Sequence, residues 1–252
     1  MIRRLCALLT VVILCGCVTE TTGGLPAPAP DAARVQAQLD LARGYLEKGQ
    51  WNLARSPVER ALAIDPRSVD ALVLMAVVYE NEGEFKLAEE FYQRALRVDG
   101  DHAQLLNNYG SFLYRRERYD DALVQLRRLV KNPDYRARSQ AFENLGLTAL
   151  KVGNREEARK AFERALQQSP AQPRSSLELA YLAFEDGKIQ AAQEYYEGFR
   201  AQARQTPRSL CLGIGLAAAT GDGDQLASYE LALRNLFPDS PEARQCLPGN
   251  GS

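Results

Sequence analysis

Alanine returns in this chain on a nearly fixed stride. Ala54, Ala88, Ala122, Ala158, Ala192 and Ala227 stand 34, 34, 36, 34 and 35 residues apart. Self-similarity at such a period is the signature of a stacked array, in which one supersecondary unit is copied and each copy hides the apolar face of the next. The register extends beyond the alanines. Three residues before them come Trp51, Phe85, Tyr119, Arg155, Ile189 and Asp224, and seven after them Ala61, Ala95, Leu129, Ala165, Phe199 and Arg234. The pattern is sharpest in the first four units.

Within each period the apolar spacing is helical twice. Gly49, Gly83, Gly153 and Gly187 fall between the halves, where a residue free to take a positive φ ends a helix. Pro66 and Pro170 end the second helix of their units, and Gly100 stands in that place in the second unit. Small residues at Ala42, Ala76, Gly110, Gly146, Ala180 and Gly215 let the two helices approach, and Leu41, Met75, Tyr109, Leu145, Leu179 and Ile214 fill the space beside them. Two departures predict local irregularity. Pro57 sits inside a second helix, where a kink or a late start is expected. Residues 131–136 carry the extra length of the 36-residue step and predict a longer connection.

These slots resemble the tetratricopeptide repeat, over residues 35 to about 240. The resemblance implies an all-α fold, a right-handed superhelical solenoid of about six repeats at 35–68, 69–102, 103–138, 139–172, 173–207 and 208–241, with a C-terminal tail at 242–252. Positions of the first helices that do not pack inward would then line a concave groove. Those positions are Val73 and Val77, Asn107, Ser111 and Tyr114, Glu143, Leu147 and Leu150, and Leu177, Tyr181 and Phe184, with Leu212 and Leu216 in the last unit. So much apolar surface is more than a lone domain normally leaves bare. Either neighbouring helices cover part of it, or it receives an extended or helical segment of a partner, with Asn107 bonding the partner's backbone.

The N-terminus has a different grammar. Arg3 and Arg4 precede an apolar run from Leu5 to Leu14, too short to span a bilayer. Leu14, Cys15, Gly16, Cys17 close it. This resembles a bacterial lipoprotein signal, residues 1–16, and implies that Cys17 becomes the acylated first residue of the mature chain. Several acyl chains, each methylene contributing about 0.8 kcal/mol, would anchor the protein without a span. Val18 after the cysteine points to the outer membrane, and residues 17–34, with Leu25 to Pro30 alternating proline, read as an extended tether.

Chemistry finds little purchase. The net charge of -1 becomes about -3 once Arg3 and Arg4 are removed, which leaves no basic field for nucleic acid. Gly213, Gly215 and Ala218 match a dinucleotide fingerprint in spacing, but lie inside a first helix where a strand is required. Asp222 and Asp224 lack the further ligands of a calcium loop. His102 is the one histidine, without a second ligand for a metal or triad. No catalytic residue, metal, cofactor or small-molecule substrate is expected. Of five cysteines, Cys6 and Cys15 leave with the signal. Cys211 occupies a large slot and reads as a small buried hydrophobe; in an oxidising compartment, with Cys246 in a tail able to fold back, a bridge between them is the other reading.

A narrower resemblance lies in Asn107 to Tyr114 with Tyr119 and Ala122, in Phe142 to Leu147, and in Arg208 to Leu210 with Leu212, Gly213 and Ile214. These residues, with the lipobox and six repeats, are similar to the type IV pilus biogenesis lipoproteins of the PilF and PilW family, the pilotins. That resemblance implies an outer-membrane lipoprotein facing the periplasm, which binds the pilus secretin and promotes its localisation and multimerisation. A repeat lipoprotein that scaffolds other envelope machinery, for peptidoglycan or outer-membrane assembly, is the alternative.

Overall fold

The computed structural model describes residues 30–247, so the signal segment, Cys17 and most of the tether lie outside the described residues. Thirteen helices and no strand occur within them. They pair as α1 (Asp31–Glu47) with α2 (Trp51–Ile64), α3 (Val69–Asn81) with α4 (Phe85–Val98), α5 (Ala103–Arg115) with α6 (Tyr119–Leu129), and α7 (Arg138–Lys151) with α8 (Arg155–Gln168). Then come α9 (Pro173–Glu185) with α10 (Ile189–Arg200) and α11 (Pro207–Thr220) with α12 (Gly223–Leu236), closed by the short α13 (Pro241–Cys246). Residues 31–34, expected in the tether, form the first turn of α1, and residues 242–246 of the expected tail are helical.

All six pairs turn by the same device. The amides of Gln50, Glu84, Arg118, Asn154, Lys188 and Asp222 each donate back across the turn, to the carbonyls of Tyr45, Tyr79, Leu113, Ala149, Ala183 and Ala217. This closure needs a left-handed residue just before the donor. Glycine supplies it at Gly49, Gly83, Gly153, Gly187 and Gly221, with φ from 68° to 80°; in the third unit Glu117 takes φ 59° instead. Connections between pairs are less uniform. Residues 130–137 form the longest, where the 36-residue step predicted it.

The alanines of the register are buried where the helices of a pair cross: Ala54, Ala88, Ala122, Ala158 and Ala192 expose nothing. The small slots work by contact. A methyl added to Gly110 would stand 3.1 Å from Leu126, and one on Gly146 only 2.6 Å from the Phe162 ring. The large slots insert between units: Tyr109 stacks on Tyr92 of the preceding pair, with ring centroids 5.1 Å apart. Leu41 departs from this rule. No described helix precedes α1, so its side chain is 43% exposed rather than packed. Pro57 does not delay its helix: of the kink or late start expected there, the late start does not occur, and α2 runs from Trp51 to Ile64 with Pro57 buried inside it. Burial of the ring beside Ala54, Val58 and Ala61 offsets the hydrogen bond that proline cannot donate.

Ion pairs tie each unit to the next, among them Arg118 to Glu89 at 2.6 Å and Arg127 to Glu157 at 2.7 Å. Both are partly exposed and contribute at most about 1 kcal/mol each. The array is held mainly by its apolar seams.

Candidate protein-binding groove

First helices of successive pairs lie side by side, and their outward stripe lines a chain of cavities. Arg43, Asp70, Val73, Leu74, Gln104 and Asn108 line one of about 470 Å³ between α1, α3 and α5. Leu74 and Asn108 also belong to the next, of about 640 Å³, with Val77, Glu80, Asn81, Ser111 and Arg115, and with Leu46, Trp51 and Tyr92. Ser111 and Arg115 belong in turn to a third, of about 200 Å³, which reaches Gly110, Tyr114, Leu126, Asn144, Leu147, Thr148 and Arg174. Shared walls make these one groove, running from α1 to the start of α9.

The expected residues divide on this map. Val77, Ser111, Tyr114 and Leu147 line the groove. Val73 forms part of its floor and is buried to 1%. Leu150 is half-buried against the core of the middle units. Asn107 is displaced from its expected role: its side-chain amide donates to Asn108 Oδ1 at 3.4 Å and it lines none of the three cavities. The exposed stripe of α5 is Gln104, Asn108, Ser111 and Arg115, a steady i, i+4, i+7, i+11 progression. Asn108 Oδ1 accepts from Gln104 at 2.9 Å, which leaves the amide nitrogen of Asn108 without a partner among the described residues.

Glu143 also departs from expectation. It is buried, accepting from Gln140 at 3.1 Å and from the Ser175 hydroxyl at 2.9 Å, so it joins α7 to α9 instead of facing a partner. A buried carboxylate needs such donors, and hydroxyl and amide supply them here. Arg115, Asn144 and Arg174 are groove residues absent from the expected set; the available signal was helical spacing from expected residues, since Arg115 stands at i+4 from Ser111, Asn144 at i−3 from Leu147 and Arg174 at i−7 from Tyr181.

Beyond α9 the face closes. Leu177 is buried, and Phe184 packs against Gly215, where an added methyl would stand 2.8 Å from the ring. Tyr181 donates its hydroxyl to the Arg208 carbonyl, while the Arg208 guanidinium lies 4.2 Å over its ring. Burial pushes the Tyr181 hydroxyl up to about 12. Arg208 forks onto buried Glu178 at 2.5 and 2.9 Å, and hydrogen bonding to that carboxylate raises the guanidinium above its usual range. Cys211 and Cys246 are joined in a disulfide, with Cα atoms 5.7 Å apart, which holds α13 on α11.

The residues weighed for chemistry serve structure. His102 caps α5, its Nδ1 accepting from the Leu105 amide at 3.4 Å, and Asp222 caps α12. Gly213 admits Tyr196 and Tyr229 beside α11. Among the described residues no cluster of three metal-ligating side chains occurs, and no helix is long and apolar enough to cross a membrane.

Stacked helix pairs with a groove along their first helices define a helical-repeat scaffold. The tetratricopeptide-repeat family matches at residues 45–107, 88–137 and 143–207. The chain is 39% identical over 247 residues to the type IV pilus assembly protein PilF of Pseudomonas aeruginosa, covering 97% of each. A solved structure from the functional characterisation of Pseudomonas aeruginosa pilF superposes with a TM-score of 0.80 at 40% identity, covering 85% of this chain and 97% of that one. That of PilW, a type IV pilus biogenesis factor, superposes at 0.69 with 27% identity, covering 84% and 97%. The chain therefore belongs to the PilF family of tetratricopeptide-repeat proteins.

Proposed function

We propose that this protein is a pilotin, a non-catalytic outer-membrane lipoprotein that takes part in type IV pilus biogenesis. It binds a segment of the pilus secretin in the groove between α1 and α9, and so promotes secretin localisation and multimerisation, on which twitching motility depends. The observation that carries the reading is the continuous groove, in a chain of this family, with amide, hydroxyl and guanidinium groups set around Val77, Leu74 and Leu147. Such a lining suits an extended peptide, whose backbone needs hydrogen-bond partners and whose alternate side chains need apolar seats. Cys17, acylated, keeps the complex on the membrane and commits it to the route its anchor takes.

Two variants separate holding from anchoring. Ser111→Trp, at the wall shared by two of the cavities, is expected to abolish capture of the cognate secretin subunit by the purified protein while leaving helicity intact. Cys17→Ser is expected to leave capture unchanged and to remove detergent-resistant secretin multimers from the outer membrane. Undiminished capture by Ser111→Trp would show that the groove is the wrong surface, and normal multimers with Cys17→Ser would remove the tethering half.

A further inference from the structure

The smallest of the three cavities differs from its neighbours in charge. Both others contain carboxylates, Asp70 in one and Glu80 in the other, each already engaged: Asp70 lies 3.5 Å from Arg43, and Glu80 receives Arg115 and the Tyr92 hydroxyl. The third, between α5, α7 and α9, contains none. Of its polar groups, Arg115 is paired with Glu80 and the Thr148 hydroxyl donates to the Asn144 carbonyl, while the others are donors without acceptors. The hydroxyls of Ser111 and Tyr114 have no partner among the described residues, and the Asn144 amide accepts at Oδ1 from Gln140 but its nitrogen donates to nothing. The side chain of Arg174, the second residue of α9, has neither an ion pair nor a hydrogen bond among the described residues.

Arg174 is unpaired for a specific reason. Its natural partner at i+4 is Glu178, and that carboxylate is taken by both arms of Arg208, which arrives from α11. A cation in the first turn of a helix also opposes the helix dipole, so Arg174 adds nothing to the stability of α9. What remains is an exposed, unpaired guanidinium beside three neutral donors, over a floor of Gly110, Leu126 and Leu147.

The geometry points to this cavity as a seat for a carboxylate side chain, an Asp or Glu carried by an extended segment lying in the groove. The assignment rests on the groove reading above. An anion there satisfies the guanidinium and the three donors at once, by charge-assisted hydrogen bonds. The source is assigned to a side chain of a segment that continues through Ser111 and Arg115 toward α3; because the face closes beyond α9, a chain terminus has the same chemistry, and binding lost when the C-terminus of an enriched peptide is amidated would overturn the side-chain assignment.

The test pans a random peptide library against the full-length protein in detergent, wild type and Arg174→Glu. Enriched peptides are expected to share an Asp or Glu, and converting it to Asn or Gln to weaken binding about tenfold or more, the loss of one charge-assisted contact. Arg174→Glu is expected to lose the same peptides and to gain those with Lys in that place, with a thermal midpoint equal to wild type or above it. A structural role for Arg174 would lower that midpoint. Enrichment without acidic residues, no enrichment at all, or equal binding by Arg174→Glu would overturn the assignment. The library contains no secretin, so acidic peptides selected by a protein that fails to capture secretin would reject the proposed partner and retain the pocket.

Discussion

Units one to four and units five and six obey the same period and the same turn geometry, yet they treat the face of their first helices in opposite ways. On α3, α5 and α7 that face lines open cavities. On α9 and α11 it is spent on the array's own contacts: Phe184 on Gly215, Tyr181 under Arg208, Arg208 on Glu178, and a disulfide that fastens α13 over the end. The contrast shows that a repeat fold allots one surface to two uses. In the last two described units, side chains at positions that elsewhere line the groove pack on the neighbouring unit instead.

The largest test of this contrast is Cys211→Ser. The bridge closes a sequence separation of 35 residues, and its loss is expected to cost the terminal unit about 3 to 4 kcal/mol, mainly by freeing the unfolded chain. Hydrogen exchange should speed up in α11 to α13 and stay unchanged in α3 to α7, since contacts in such an array are local. Equal loss of protection in both regions would mean that the two do not behave as separable units.

Arg208→Met comes next. It removes the guanidinium that lies over Tyr181 and leaves buried Glu178 without its fork of donors, at a cost of about 1 to 2 kcal/mol once the partial exposure of Arg208 is allowed for. The same variant frees Glu178 to pair with Arg174 at i+4, so binding of acidic peptides should weaken alongside a modest fall in thermal midpoint. Full stability with unchanged binding would show that the latch between units five and six is incidental.

The smallest effect lies in the open region and has the opposite sign. Glu117 holds a left-handed backbone where the other five turns have glycine, and its side chain is exposed. Glu117→Gly should stabilise by about 0.5 to 1 kcal/mol, measured by chemical denaturation, because the strain of a Cβ at positive φ outweighs the entropy that glycine loses on folding. A destabilised variant would show that the turn tolerates the side chain without strain.

Much of this molecule was legible in its residues. Ala54 through Ala192 at helix crossings, glycine at the turns, and Gly110 and Gly146 beneath larger neighbours follow from the period, since each slot has the same surroundings in every copy. The groove was legible only in part. Ser111, Tyr114, Val77 and Leu147 were found by counting along the first helices, but the count placed Asn107 where Asn108 stands and took Glu143 for surface. Helical spacing defines a stripe to within one residue on either side. Which edge of that stripe is open depends on how the next unit is rotated against it.

What the chain alone settles here is therefore what repeats: two helices per period, which residues they bury against each other, and how they turn. Those properties come from backbone geometry and the size of side chains a few residues apart. What required the folded array is everything that joins residues about one unit apart: Arg208 reaching Glu178, Ser175 reaching Glu143, Phe184 lying on Gly215, and Arg174 left unpaired in consequence. These contacts depend on the rotation between stacked units, a sum of many packing contacts that no single helix contains.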